Sequence, residues 1–498
     1  MEHARVVSRK GLVGLLTIAL ALSLGGASLA FAAEPEAGAA DEAQSGGLSL
    51  LALKSGSCGV SLTWQFDTAT GALTISGTGA MTRYDTASKP TPWQAWRKDI
   101  RTVVISEGVT SIGDNAFYGC TALSSVTIPR TVTEIGYYAF FGCTALKAIT
   151  IPSGVTSIGT AAFSTCTALS SITIPRSVRE IGNHAFQGCR SLVSASVPGT
   201  VASTGEYAFL GCTSLASVTV GNGVRTIGSY AFFGCTSLPS IALPVSVTSI
   251  GDHAFEYCTS FTSFTIPSRV TSIGDFIFSG CSFLETVDVP ASVRSIGPFA
   301  FYYCTSLTSL DIPKGVRSIE ASTFRACTSL ASVTIPNTVT TIKIDAFSHC
   351  TSLTSVDLPS SVTSLQGNAF YRCSTLKSIT IPASVKSIGK DAFYLCEELT
   401  ITGAANSAAS RYAAGARPKI RFATMSTQVC TVKFDANGGT VGASKAASVK
   451  RNKGAALGKL PVAKRTGYTF LGWYTGKAKG SKVAATTKVP KDLVLYAR

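Results

Sequence analysis

One spacing constrains this chain more than any other feature. Cys120, Cys143, Cys166, Cys189, Cys212, Cys235, Cys258, Cys281, Cys304, Cys327, Cys350, Cys373 and Cys396 lie 23 residues apart with no insertion between them. Around each cysteine the same unit recurs. The first full copy runs Val109-Thr-Ser-Ile112-Gly113-Asp-Asn-Ala116-Phe117-Tyr-Gly119-Cys120-Thr-Ala-Leu123-Ser-Ser-Val126-Thr-Ile128-Pro129-Arg-Thr131, and later copies start at Val132, Val155 and onward to Val385. Self-similarity at a fixed short period specifies a solenoid, because one unit cannot bury its apolar face and stacked units can.

Leu123, Val126 and Ile128 alternate as a strand requires, and Pro129 ends the strand where no ladder donor is needed. Ala116, Phe117 and Cys120 stand three and four apart, which predicts the inner face of a short helical turn. With strands about 4.8 Å apart, thirteen units make a body on the order of 60 Å long. Composition agrees: at 498 residues the chain exceeds one ordinary core, and 14% charged against 45% hydrophobic residues is too apolar for disorder.

The string Val-Thr-Ser-Ile-Gly-x-x-Ala-Phe-x-Gly-Cys-Thr-x-Leu-x-x-Val-x-Ile-Pro, nearly whole at 109–129, 155–175 and 224–243, resembles the BspA-type leucine-rich repeat of bacterial surface proteins. The resemblance covers about residues 93–424. It implies an α/β leucine-rich-repeat solenoid with one short strand and one short helical turn per unit, on a secreted or cell-surface binding protein. Host matrix proteins, other microbial surface proteins or glycans are the partners it implies, with no single ligand. Departures are local: Gly221 replaces the strand-ending proline, Ile277 and Thr323 the inward alanine, and Glu320 and Lys343 a glycine. They mark the stretch around 275–345 as the least regular part of the stack, where drift is favoured over a ligand-related cause.

Regions outside the array read differently. Arg5, Arg9 and Lys10 precede the apolar run Gly11 to Leu24, and Ala30-Phe31-Ala32 offers a cleavage site, so residues 1–32 read as a secretory signal peptide followed by a linker over 33–54. No later segment has the length and apolarity of a membrane span, and no LPxTG-like sorting signal ends the chain, so any attachment is expected to be non-covalent or through a partner. Residues 55–92 read as a β-hairpin cap, Val60 to Phe66 and Ala72 to Ser76 around Asp67 to Gly71, with Trp93 and Trp96 closing the first half-unit. Asn406 to Ala414 reads as a short helix, and Lys419 to Phe422 as a strand. After a linker at 425–429, residues 430–498 carry Thr431 to Gly439, Arg465 to Tyr474 and Leu493 to Ala497. This segment resembles the Listeria-Bacteroides repeat, a small β-rich unit. Burial in so small a domain predicts Tyr468, Phe470 and Trp473 as its core.

Charge is divided sharply. Residues 1–402 carry 25 Lys/Arg and 25 Asp/Glu, whereas 403–498 carry 18 Lys/Arg against Asp435 and Asp492 alone, so the net +16 sits in the tail. Such asymmetry predicts an anionic partner, here a cell-wall polymer held by Lys450, Arg451, Lys453, Lys464, Arg465, Lys477, Lys479 and Lys482. Nucleic acid ranks lower, since no groove-reading element accompanies the charge.

The cysteines read as buried free thiols rather than disulfides: thirteen is odd, and each inward slot suits a small hydrophobe. No His pair accompanies them for zinc. His184 and His253 lie three units apart, about 14 Å, too far to share a metal. HExxH, G-x-S-x-G and phosphate-binding loops are missing, and the unbroken register leaves no insertion in which to build an active site, so no enzyme and no cofactor is expected.

Two faces remain for binding. The strand face carries Ser or Thr at Ser125, Thr127, Ser171, Thr173, Ser217 and Thr219, with Asp288, Asp311 and Asp357 further on. The turn face carries rings at one position per unit, Tyr138, His184, Tyr207, Tyr230, His253, Phe276 and Phe299, beside Phe141, Phe233, Tyr302 and Tyr303. Two readings of the rings stay open: a ligand-facing stripe, with Tyr138, Tyr207, Tyr230, Phe233, Phe299, Tyr302 and Tyr303 as contacts, or rings that cover neighbouring backbone and stiffen the stack. The function expected is an adhesin-like binding protein; the alternative is a cell-envelope spacer or matrix component without a specific ligand.

Overall fold

The computed structural model describes residues 53–416, 418–425, 429–442, 446–453 and 455–498. The signal peptide read over 1–32 and nearly all of the linker read over 33–54 lie outside them. Repeated apolar positions stack as expected. Ala116, Phe117, Cys120 and Leu123 and their equivalents are fully buried along the array. Within runs of successive units the strands pair in parallel in the 23-residue register, as Ser171–Thr173 does with Ala148–Thr150.

Each unit departs from the expected plan in its second half. A second, two-residue strand follows the proline, as at Glu134–Ile135 and Ser157–Ile158, and forms its own parallel ladder. The predicted helical turn does not form. The residue before the inward alanine takes a left-handed backbone in all thirteen units, with φ from 52 to 60° between Asn115 and Asp391. N–H groups then alternate in direction. Those of Asn115, Phe117 and Gly119 reach forward to the carbonyls of Tyr137, Ala139 and Phe141 at 2.8 Å each, while Ala116, Tyr118 and Cys120 close tight turns onto Gly113, Asn115 and Phe117. A helix would leave the units joined by side chains alone on this face. This arrangement provides a third backbone ladder between them, which offsets a left-handed cost of roughly 1–2 kcal/mol per residue.

Two side-chain ladders run inside. Thirteen phenylalanines from Phe117 to Phe393 stack with centroids 5.2 to 5.9 Å apart. Beside them, each thiol from Cys143 to Cys396 donates to the phenylalanine carbonyl of the preceding unit, as Cys143 Sγ does to Phe117 at 3.3 Å and Cys327 to Phe301 at 3.0 Å. All cysteines in the array are buried and free. Burial pushes their thiols up, to about 12 for Cys120, Cys166, Cys235 and Cys396.

Both ends of the stack are closed by groups that complete these ladders. At the start lie β1 (Leu53–Ser57), β2 (Leu62–Asp67) and β3 (Ala72–Gly77), an antiparallel sheet one strand larger than the expected hairpin, whose β3 pairs in parallel with Thr102–Ile105. Trp93 stacks on Phe117 at 5.9 Å, and its indole N–H donates to the Ala116 carbonyl at 2.9 Å, where an inner unit would receive a phenylalanine N–H. At the far end α1 (Ala408–Gly415) starts on Ser407, whose side chain accepts the Ser410 N–H. Tyr412 from α1 packs edge-on against Phe393 at 5.7 Å, and its hydroxyl accepts the Phe393 N–H at 2.9 Å. Arg421–Thr424 then pairs with Thr400–Gly403 and ends the main sheet.

Of the consensus departures, Glu320 and Lys343 form an ion pair across neighbouring units at 2.5 Å. Residues 429–498 form a separate core, in which Val429–Asp435 pairs with Ala446–Asn452 and Leu493–Ala497, and Leu493–Ala497 with Trp473–Tyr474.

Candidate functional site

The left-handed position that builds the turn-face ladder also turns its side chain outward and in register with the next unit. Rings there stack face to face: His184 on Tyr207 at 4.5 Å, Tyr207 on Tyr230 at 4.7 Å, Tyr230 on His253 at 4.2 Å, His253 on Phe276 at 4.7 Å and Phe276 on Phe299 at 4.5 Å, all within 9° of parallel. Ring faces are therefore consumed by neighbouring rings, and the half-buried column offers its edges to solvent. Tyr138 does not join it. Buried Ala161 interrupts the column, and Tyr138 sits with Phe141 at 5.8 Å and, through it, Tyr118. Beyond Phe299 the same column turns polar, as Ser322, Asp345, Asn368 and Asp391.

A second lane runs beside the column and widens at its centre. Phe233 meets Tyr257 edge-on at 5.5 Å, Phe299 meets Tyr302 at 5.6 Å, and Tyr302 meets Tyr303 at 4.5 Å, with the Arg325 guanidinium 6.0 Å from the Tyr302 ring. Gly280 lies between the two tyrosine groups, and a Cβ there would come within 2.5 Å of the Tyr257 ring, which leans over it. Burial pushes the Tyr302 hydroxyl above its ordinary value. Tyr257 and Tyr303, 47% and 50% exposed, are the rings of this lane with most surface free. Under the lane, buried Glu256 pairs with His253 and accepts the Ser279 hydroxyl at 2.9 Å. Tyr257 was missed from sequence, although a signal existed: like Tyr303, it stands where the repeat carries glycine, and both keep the left-handed backbone, at φ 57 and 56°.

In the tail module the predicted basic residues do not form one cluster of free charge. Lys450, Lys453, Lys464, Lys479 and Lys482 are exposed. Arg451 is tied to the Leu457 and Lys450 carbonyls, and Lys477 pairs with Asp435 at 3.8 Å. Trp473 is core as expected and Phe470 is half-buried, but Tyr468 is 67% exposed. Arg465 and Tyr468 are the ends of a tight turn, with Gly467 at φ 79° inside it, and this projects both side chains together, the guanidinium 4.1 Å from the ring centroid. They line a cleft of about 150 Å³ with Asn437, Lys464, Phe470 and Arg498.

Three ladders closed by two caps, with an outward ring column, define a leucine-rich-repeat solenoid. The chain belongs to the BspA type leucine rich repeat family, whose model matches residues 95–216, 203–328 and 294–410. Residues 431–498 match the Listeria-Bacteroides repeat domain. Among solved structures, a leucine-rich repeat protein from Bacteroides ovatus is 29% identical with a TM-score of 0.63, covering 73% of this chain and 98% of that one. A leucine rich cell surface protein from Faecalibacterium prausnitzii is 28% identical with a TM-score of 0.42, covering 70% and 94%. No curated protein is matched. Among the described residues, no helix is long and apolar enough to cross a membrane, and no group of three His, Cys, Asp or Glu is placed to hold a metal.

Proposed function

We propose that this chain is an exported, surface-associated binding protein that presents the turn face of its solenoid to a protein or glycan outside the cell, while the basic tail module holds it to anionic polymer of the envelope. One observation carries the reading: the aromatic surface from Tyr207 and Tyr230 through Phe233 and Phe299 to Tyr302 and Tyr303 is continuous, and it widens where Tyr257 and Tyr303 leave the stack and open toward solvent. Rings already packed into the stack serve stability. Rings outside it have little structural reason to stay exposed, and exposed aromatic area is what interfaces select. The tail contributes retention through its excess charge, so its hold should weaken steeply with salt.

The test is binding of the full chain to arrays of matrix proteins, microbial surface proteins and glycans, beside the double variant Tyr257→Ser/Tyr303→Ser. Wild type should retain at least one class, and the double variant should lose 10-fold or more while costing no more stability in urea than its two edge-on ring contacts, roughly 1–3 kcal/mol. Retention of none, or equal retention by the variant, would leave the solenoid as a spacer.

A further inference from the structure

Arg465 occupies an unusual position for a cation on so basic a module. Its Nη1 donates to the Asn437 carbonyl at 3.0 Å, and the guanidinium lies against Gly438, where a Cβ would come within 3.2 Å of its central carbon. Tyr468 covers it from 4.1 Å. The side chain is thus held in one place at little remaining entropic cost. Yet Nε and Nη2 have no hydrogen-bond partner among the described residues, and the fork has no carboxylate. The only two acidic residues of 403–498 are used elsewhere: Asp435 on Lys477, and Asp492 as acceptor of the Thr431 N–H at 2.6 Å. A fixed, exposed and unpaired guanidinium, beside Lys464 and a mostly open tyrosine ring, is an oxyanion receptor with a platform next to it.

We infer that the Arg465–Tyr468 cleft is a specific binding site for an oxyanion carried on a sugar or polyol, so that the tail reads one repeating group of an anionic glycopolymer rather than its charge alone. This rests on the polyanion-retention reading above and gives it a locus. The chemistry separates the roles. Arg465 offers its free Nε–Nη2 edge, two parallel donors, to a phosphate or carboxylate, which a point charge does not reproduce. Tyr468 takes the C–H face of the ring or polyol that bears it. Asn437 and Gly438 build the seat: Asn437 at φ 51° and Gly438 at φ 91° form the Asn-Gly turn whose carbonyl fixes the guanidinium.

The experiment measures binding of the full chain at fixed salt to three probes: lipid-free poly(glycerol phosphate), a polyuronate and neutral dextran, with duplex DNA as competitor. Variants are R465K, which keeps the charge and removes the fork, Y468A, and K488A/K491A, which removes two exposed charges outside the cleft. Wild type should bind the phosphate polymer or the polyuronate but not dextran, and whichever binds identifies the source of the oxyanion. R465K and Y468A should each lower affinity 10-fold or more at an unchanged urea midpoint, while K488A/K491A changes it less than 3-fold. If R465K binds as wild type does, or the double lysine variant loses as much, the cleft is wrong and diffuse retention survives. If wild type binds neither polyanion, or prefers DNA, both readings fall.

Discussion

The solenoid and the tail module use aromatic residues in opposite ways. In the solenoid the rings repeat every 23 residues, so each finds a parallel copy of itself one unit away, and ring faces are buried on ring faces inside and outside the backbone. In the tail nothing repeats, and Tyr468 lies open with an unpaired guanidinium as its partner. Repetition lets a group satisfy itself. A residue in an array is therefore first a structural element, and the groups left over for ligands are those that break the period, such as Tyr257 and Tyr303 at glycine positions, or those that never had one.

If the array is as self-satisfied as this, its weakest point is chemical rather than steric. Folded thiols hold their protons well above the ordinary value of 9.0, because burial disfavours the thiolate. Below about pH 9 folded and unfolded chains both carry those protons and stability does not respond. Above it the unfolded chain releases them first, at about 1.4 kcal/mol per thiol per pH unit. The urea midpoint followed by circular dichroism should fall steeply between pH 9 and pH 11. A Cys212→Ala/Cys235→Ala/Cys258→Ala variant should fall less steeply. An unchanged slope would show that something other than the thiol ladder sets alkaline stability.

The same contrast predicts unequal losses from one kind of substitution. Tyr207→Ser/Tyr230→Ser/Phe233→Ser removes the contacts of both stacked tyrosines with His184, each other, His253 and Phe233. With the Phe233–Tyr257 contact as a fifth pair, at about 0.5–1.5 kcal/mol per ring pair the solenoid should lose roughly 2.5–7.5 kcal/mol. Tyr468→Ser, at an exposed ring, should stay within about 0.5 kcal/mol. Equal losses in urea melts would erase the distinction between stacked and open rings.

Period, core and caps were legible because they rest on burial, and burial follows from apolar spacing alone. Ala116, Phe117 and Cys120 point inward whether their turn is helical or not, which is why the helical turn was a reasonable expectation and a wrong one: spacings of three and four do not distinguish a helix from backbone whose N–H groups alternate. The signal for the second form is the residue before the alanine, often Asn, Asp or His, which tolerate a left-handed backbone better than most. Stacking of the outer rings was one of the two open readings, and spacing could not choose between them. Tyr468 was assigned to a core by size, and only the turn through Gly467 places it beside Arg465.

The most local expected effect concerns how the array ends, where the solenoid meets a sequence that no longer repeats. Phe393 has no next unit, so its N–H lacks the alanine carbonyl that Phe370 finds at Ala392, and the Tyr412 hydroxyl takes that place. Tyr412→Phe keeps the ring against Phe393 and removes only the acceptor. The orphaned donor should cost about 1–3 kcal/mol, felt in the terminal units and not along the array, because each unit contacts only its neighbours. Amide exchange should therefore quicken at Phe393 while amides around Phe232 stay as protected as before. Uniform loss of protection would mean that the array melts as one body, and no loss would mean that the hydroxyl does not close the ladder.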